Sequence, residues 1–196
     1  MIYSGKFKAT LDACALYPAP IRDLLLWLAD AQLYKPFWSE EINNEWIRNL
    51  LINRPDIREE SLKGTVSAMN EAFPDANTTN YFTLIEVLKL PDKDDRHVLA
   101  TAIRNNSEVI VTANVKDFPQ DVVRIHDIEV QTPDYFISNL IDLNEKRALK
   151  AFQNQVKNLK NPPQSAEQVL ETLEKNGLIE TCKKLKLLLK EKRSLS

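Results

Sequence analysis

Apolar residues recur along the chain in two alternating patterns: short runs of strand length and longer stripes with helical spacing. Residues 8–16 mix apolar and small side chains and predict a buried strand, which the breaker at residues 17–20 closes. Residues 21–31 then place apolar side chains three and four positions apart, which predicts a helix. A second apolar stripe predicts a helix from Ser39, its N-cap, to about residue 53.

The middle of the chain continues the alternation. Residues 56–73 predict a more polar helix, and residues 83–90 are ambiguous between helix and loop. The remaining segments up to residue 143 are predicted as a helix over 98–103 opened by an acidic segment, a short buried strand over 108–112, edge-strand segments over 122–125 and 128–130, and a helix over 133–143. Strands that alternate with helices favour an α/β fold with a largely parallel sheet.

Beyond residue 144 no strand pattern occurs, and only helical stripes remain. We therefore predict two parts, an α/β domain over residues 1–143 and a small helical extension over residues 144–196. Charge divides at the same place: residues 1–144 carry a net charge of −8 and residues 145–196 a net charge of +6. An acidic body thus carries a basic tail, which is suited to a polyanion or to a solvated helix face.

Composition excludes several classes of protein. The three glycines lie far apart, so neither a P-loop nor a dinucleotide-binding glycine motif occurs. Two cysteines and two histidines without paired spacing argue against structural zinc. We expect a cytoplasmic protein without a membrane span, because there is no secretion signal and no apolar stretch of about 20 residues.

Acidic side chains lie near the predicted strand and helix ends. Asp12 lies at the end of the first strand, Asp94 and Asp95 open a helix, and Asp117 follows the strand over residues 108–112. Loops at the carboxyl ends of parallel strands form the ligand site in such folds, so these acids are expected at one edge, with Glu45 as a fourth contributor. Carboxylates held close together repel one another, and Mg²⁺ or Mn²⁺ would neutralise them and support phosphodiester hydrolysis.

Each acid also has a purely structural interpretation. Asp94 or Asp95 can cap a helix, Asp117 can serve a turn, and Glu45 can pair with Arg48 on an exposed helix face. His97, beside the acids, is interpreted as a surface residue. Asp12 is the hardest to explain in this way, because a carboxylate inside an apolar strand is costly to bury without a partner.

Four segments of the sequence resemble the PIN domain, a metal-dependent ribonuclease family that includes the VapC toxins of bacterial toxin–antitoxin pairs. They are Thr10-Leu-Asp12-Ala-Cys-Ala-Leu, Ser39-Glu-Glu-Ile-Asn-Asn-Glu45, Asp92-Lys-Asp-Asp95-Arg-His-Val-Leu-Ala-Thr-Ala-Ile and Val109-Ile-Val-Thr112-Ala-Asn114-Val-Lys-Asp117-Phe-Pro. The resemblance covers residues 8–140, and its last two segments are the specific ones. The basic tail, with Asn161-Pro-Pro, is similar to the extension on one bacterial subgroup.

The resemblance implies a three-layer α/β/α fold with a central, mainly parallel sheet and a C-terminal helical unit. It implies an endoribonuclease, the toxin of a toxin–antitoxin pair, that uses Mg²⁺ or Mn²⁺, cleaves RNA, binds an antitoxin protein and often forms a homodimer. Its catalytic and metal-binding residues would be Asp12, Glu45, Asp95 and Asp117, with Asp94, Thr112 and Asn114 in support. Asn114 stands where many members have Asp, which lowers the charge of the site by one.

Two other functions stay open at the level of sequence. The chain can be a PIN-fold module that acts through a protein partner with little intrinsic cleavage. It can also be a DNA nuclease, because the same carboxylate chemistry acts on any phosphodiester and only the binding groove recognises the 2′-hydroxyl.

Overall fold

A computed structural model describes residues 7–194, and side chains up to residue 192. The described chain packs as two compact units that do not follow chain order. The first, called the sheet unit, comprises the described residues up to Tyr17 together with Lys35–Gln131. The second, called the helical unit, comprises Pro18–Tyr34 and the described residues from Thr132 onwards. The predicted domain boundary at residues 143 and 144 stays a prediction, since packing units need not be independently folding domains.

The sheet unit is built on five parallel strands in the order β3-β2-β1-β4-β5. The strands are β1 (Lys8–Leu11), β2 (Lys35–Ser39), β3 (Asn77–Thr78), β4 (Val109–Val111) and β5 (Glu129–Gln131). Between β1 and β4 the order of strands reverses, so the carboxyl ends of these two central strands form the switch point of the sheet. In folds of this kind the ligand site lies at that point.

Eleven α-helices accompany the strands in the described chain. They are α1 (Ala13–Leu16), α2 (Ala19–Asp30), α3 (Glu40–Asn53), α4 (Glu59–Ala72), α5 (Phe82–Val87), α6 (Arg96–Asn105), α7 (Gln120–Val123), α8 (Pro133–Leu143), α9 (Glu145–Asn158), α10 (Ala166–Lys175) and α11 (Ile179–Ser194). Short 3₁₀ turns occupy Val115–Asp117 and Arg124–His126.

The core of the sheet unit explains why its central strands lack polar alternation. Leu11, Ile110 and Val111 are completely buried, and α6 packs against β1, β2 and β4. The side chains of α6 that become buried include Val98 and Leu99, and its small residues allow close approach to the sheet. Strands buried on both faces become continuous apolar runs, as the sequence predicted for the strand over 108–112.

Two predicted strand segments are wrong. The first strand ends at Leu11, and Asp12 then caps the short helix α1, its Oδ1 accepting a hydrogen bond from the Ala13 amide at 2.6 Å. Residues 122–125 lie in α7 and the following 3₁₀ turn, and only β5 supplies an edge strand there. Runs of about four apolar residues are too short for periodicity to separate a helix turn from a strand.

Two further strands were not predicted from the sequence. They are β2, which contains Trp38, and β3 at Asn77–Thr78. The predicted helices over 21–31, 39–53, 98–103 and 133–143 are confirmed within a few residues. The predicted class, α/β with a central, mainly parallel sheet and C-terminal helices, is confirmed.

The helical unit joins the early helix α2 to the four C-terminal helices. α2 packs against α8, α9 and α10, and the Gln155 side chain donates a hydrogen bond to the Pro20 carbonyl at 2.9 Å. Tyr34 and Phe136 make an edge-to-face ring contact with centroids 5.0 Å apart. No helix within residues 7–194 is long and apolar enough to cross a bilayer.

The Asp134 side chain links helices α8 and α11 of the helical unit by hydrogen bonds. From the first turn of α8, its carboxylate accepts hydrogen bonds from the backbone amides of Glu180 and Thr181, at 3.0 and 2.9 Å, at the start of α11. The first amides of a helix have no partner within the helix, so a carboxylate that reaches them from a neighbouring helix both caps and docks it.

We expect Asp134→Ala to lower the free energy of unfolding by about 1–2 kcal/mol, because it removes a charged cap. Urea denaturation followed by circular dichroism measures this change. Asp142→Ala is the matched control: its carboxylate contacts the Lys184 ammonium at 2.6 Å, but its side chain is 62% exposed, so a change below about 0.5 kcal/mol is expected. Equal losses in the two variants would contradict the capping role.

Candidate active site

A polar cavity of about 650 Å³ opens in the sheet unit near the carboxyl ends of β1 and β4. Six carboxylates line it and face two strongly basic side chains, Arg48 and Lys93. The acids are Glu41, Glu45, Asp92, Asp94, Asp95 and Asp117. Such an excess of carboxylates in one cavity is unfavourable without a positively charged ligand.

The structure brings most of the predicted site residues to this cavity. Glu45 reaches it from α3, and Asp94 and Asp95 precede α6. Asn114 precedes the 3₁₀ turn after β4, and Asp117 is its last residue. Three segments that are distant in the chain thus converge.

Asp12 and Thr112 do not line the cavity, because both are buried, at 3% and 0% exposure. The Thr112 hydroxyl donates a hydrogen bond to Asp12 Oδ2 at 2.7 Å and accepts one from the Asn114 amide at 3.0 Å. The Cys14 thiol donates to the same Asp12 oxygen, with 2.9 Å between sulfur and oxygen. Burial and the Asp12 charge raise the pKa of Cys14 to about 12, which keeps the thiol protonated as a donor.

The buried carboxylate of Asp12 has a raised pKa. Burial is the main cause, and the Glu45 charge adds to it, while the hydrogen bonds from Cys14, Thr112 and the Ala13 amide act in the opposite direction. Three donors use three of the roughly four lone-pair positions that a carboxylate offers. Asp12 therefore retains acceptor capacity for one further ligand.

Asp95 is the most strongly perturbed acid of the cavity. Burial raises its pKa to about 7, and the negative charges of Asp12, Asp92, Asp117 and Glu45 contribute to the rise. Asp95 is the N-cap residue of α6, but its side chain makes no capping hydrogen bond. Helix capping therefore does not account for this carboxylate.

His97 links two parts of the cavity wall. Its Nε2 lies 3.4 Å from Glu45 Oε2 and its Nδ1 lies 2.5 Å from the Asp94 carbonyl oxygen. Burial lowers the pKa of His97, but the hydrogen bonds to Glu45 and Asp94 and the charges of Glu45 and Glu41 outweigh it and raise the pKa overall. Its side chain is only 12% exposed, so its interpretation as a surface residue is wrong.

The donor set suits a hard divalent cation, because all its charged ligands are carboxylates. Within residues 7–194, however, no three His, Cys, Asp or Glu side chains are placed to hold one ion together. Magnesium usually keeps several waters and binds one or two carboxylates directly. The carboxylates are of the ligand type that such an ion prefers, and the predicted metal ligands stay a prediction.

Sequence reasoning missed several residues of this site. Glu41, Asn44 and Asp92 line the cavity, and the Cys14 thiol donates a hydrogen bond to Asp12. Glu41, Asn44 and Glu45 lie on one face of α3. Because Glu45 was predicted, this spacing could have indicated Glu41 and Asn44 as well. Nothing in the sequence indicated the Cys14 contact, which depends on the turn of the chain after Asp12.

Comparison with known proteins finds two partial matches. Residues 133–187 match the family model described as the VapC50 C-terminal domain. A region of 79 residues is 38% identical to the protein named "Putative ribonuclease VapC50" of Mycobacterium tuberculosis strain H37Rv, and it covers 40% of this chain. The match spans about half, 47%, of that relative's length. The two matches confirm the VapC-like resemblance predicted from the sequence.

The raised pKa of Asp95 gives a stability prediction with a definite sign. The unfolded chain releases this proton near pH 3.8 and the native protein near pH 7, so the stabilisation is present at low pH and is lost as the pH rises through 7. We expect Asp95→Asn to raise the free energy of unfolding at pH 8, in EDTA, by about 1–2 kcal/mol after allowance for solvent screening. At pH 4 it should change little.

Urea denaturation at the two pH values measures the effect. Glu71→Gln, which neutralises an exposed acid on α4, is the control and should be nearly neutral at both. A gain from Asp95→Asn of the same size at pH 4 and pH 8 would show that charge repulsion is not its cause.

Proposed function

We propose that the protein is a metal-dependent endoribonuclease that acts as the toxin of a toxin–antitoxin pair. The observation that carries the proposal is the convergence of Glu45, Asp95 and Asp117 on one acidic cavity, with Asp12 buried close enough to perturb the Asp95 carboxyl. The name of the mycobacterial relative supports ribonuclease activity, and the VapC-like resemblance supports the role of toxin. An antitoxin partner and a homodimer belong to this proposal.

Asp12 and Asp95 are proposed to bind Mg²⁺ or Mn²⁺, while Glu45 and Asp117 complete the site. When bound, such an ion lowers the pKa of a water molecule and stabilises negative charge on the phosphate. Glu45 is suited to orient the attacking water, because its contact with His97 restricts the carboxylate. No covalent intermediate with the protein is needed, because the attacking oxygen comes from water.

Phosphate binding is assigned to the helical unit, because the cavity itself is acidic. Lys146, Lys150 and Lys157 are exposed and lie on one face of α9, at positions i, i+4 and i+11. Gln153 lies on the same stripe and accepts a hydrogen bond from the Lys192 ammonium at 3.2 Å. A row of lysines along one helix matches the repeating charge of an RNA backbone.

Cleavage of total RNA by the purified full chain tests the proposed activity. We expect cleavage with Mg²⁺ or Mn²⁺, none with EDTA, and a decrease of at least about 100-fold in Asp12→Asn and Asp95→Asn. Asp121→Asn, which changes an exposed acid outside the cavity, is the control and should keep full activity.

Circular dichroism of each variant shows whether its fold is intact. Normal metal-dependent cleavage by folded Asp12→Asn would overturn the assignment of the site. Absence of cleavage by the wild type with either metal would favour a protein-binding module, and cleavage of single-stranded DNA at an equal rate would favour a general nuclease.

Salt dependence tests the phosphate-binding surface. We expect the double variant Lys150→Ala/Lys157→Ala to bind single-stranded RNA more weakly and to lower the slope of log affinity against log salt concentration by about 1.4. Lys186→Ala is the matched control, because the Lys186 ammonium already contacts the Glu174 carboxylate at 2.6 Å. A slope that the double variant leaves unchanged would exclude the α9 lysines from RNA binding.

A further inference from the structure

A second, smaller cavity lies in the sheet unit between α3 and α4, with a volume of about 260 Å³. Asn44 lines both this cavity and the acidic one, so the two adjoin along α3. Ile47 and Val66 supply apolar wall, and Ile47 is 7% exposed. The acidic site thus continues into a pocket of different chemistry.

Four asparagine side chains line the second cavity, together with the charged side chains of Glu40 and Lys63. Asn43 and Asn44 come from α3, Asn70 from α4 and Asn77 from β3. Four carboxamides from three elements converge on one small space. Carboxamides carry no net charge and offer directional hydrogen bonds, which suits recognition of a planar polar group.

Two buried tryptophans fix the orientation of two of these carboxamides. Trp46 Nε1 donates to Asn43 Oδ1 at 3.0 Å, and Trp38 Nε1 donates to Asn70 Oδ1 at 2.9 Å. The indole nitrogen is a donor only, so the atom that faces it must be the amide oxygen. Each side chain is left with its Nδ2 amino group as the unused end.

The Nδ2 donors of Asn43 and Asn70 have no hydrogen-bond partner among residues 7–192. Asn43 and Asn70 both line the cavity, so their amino groups are available to a ligand there. Two amide donors whose orientation is fixed and that line one cavity suit a ligand with acceptors. Glu40, exposed at the rim of the same cavity, adds a carboxylate acceptor.

A guanine base meets this combination of groups. It presents the acceptors O6 and N7 next to each other, and its N2 amino group is a donor. Adenine carries an amino donor beside N7 in place of O6, so on that edge it offers the amide donors fewer acceptors than guanine does. Single-stranded RNA exposes these edges when its bases are unstacked, and recognition then combines edge hydrogen bonds with packing on the base face.

We propose that this cavity is a subsite for a guanine base of single-stranded RNA, next to the acidic cavity. The Asn43 and Asn70 amino groups donate to the base carbonyl edge, Glu40 accepts from its amino group, and Ile47 and Val66 pack against the ring. The inference rests on the proposed RNA-cleaving function, since Asn44 connects the subsite to the proposed site of cleavage. The subsite would give the protein a preference for RNA with guanine at one position, which the carboxylates of the acidic cavity alone do not provide.

Binding of short single-stranded RNA in EDTA tests the subsite without cleavage. The probes are an oligoadenosine and a set in which one adenosine at a time is replaced by guanosine, and fluorescence anisotropy gives their affinities. We expect one guanosine position to strengthen binding to the full-length wild type by about 5-fold to 100-fold.

Asn70→Asp is the decisive variant. It keeps an oxygen for the Trp38 indole and removes the amino donor, so we expect the ratio of guanosine to adenosine affinity to fall to about 1. Ser67→Asp adds the same charge on an exposed position of α4 and should lower both affinities while keeping their ratio. Glu40→Ala, which removes the exposed carboxylate assigned to the amino group of the base, should also reduce the ratio, with little effect on the fold.

Three results would overturn the subsite: no guanosine preference at any position, weaker binding of every guanosine-containing probe than of the oligoadenosine, or a guanosine preference that survives in Asn70→Asp. The proposed function fails separately. Guanosine-specific binding without metal-dependent cleavage would retain the subsite and reject the nuclease, and metal-dependent cleavage without base preference would do the reverse.

Discussion

The buried carboxylate of Asp12 is the constraint on which the candidate site depends. It follows a fully buried strand and is 3% exposed, and an uncompensated charge there would cost several kcal/mol. Its compensation comes from the Ala13 amide, the Cys14 thiol and the Thr112 hydroxyl. The pairing of Leu11 with Val111 in β1 and β4 brings Thr112 to this carboxylate, so sheet register and electrostatics are linked.

The hydrogen bonds to Asp12 stabilise its carboxylate but do not remove the effect of its charge on the acids of the cavity. Asp95 responds with a pKa raised to about 7 through burial and through the charges of Asp12 and its neighbours. The folded chain therefore stores electrostatic repulsion at the switch point of its sheet, where a fold selected only for stability would place cations. Residues that lower stability in this way are typical of functional sites, because a bound cation or substrate relieves the repulsion.

Features of the site that follow from the topology of the sheet could be predicted from the sequence, and features that depend on tertiary contacts could not. The convergence of Glu45, Asp95 and Asp117 was predictable, because the carboxyl ends of parallel strands share one edge. Three features were not: the turn at Asp12, the strand that contains Trp38, and the burial of His97 against Glu45. Each depends on tertiary contacts over segments of about five residues, where periodicity carries little information and packing decides the conformation.

Helix α3 shows how adjacent residues can serve different purposes. Successive residues of a helix point about 100° apart, so Asn43, Asn44 and Glu45 address the amide-lined cavity, both cavities and the acidic cavity in turn. The apolar stripe of Ile42 and Trp46 fixes this rotation by burying the opposite side. A change in the packing of Trp46 would rotate the residues that line both cavities together. The buried side of α3 therefore fixes the position of the proposed recognition site relative to the proposed cleavage site.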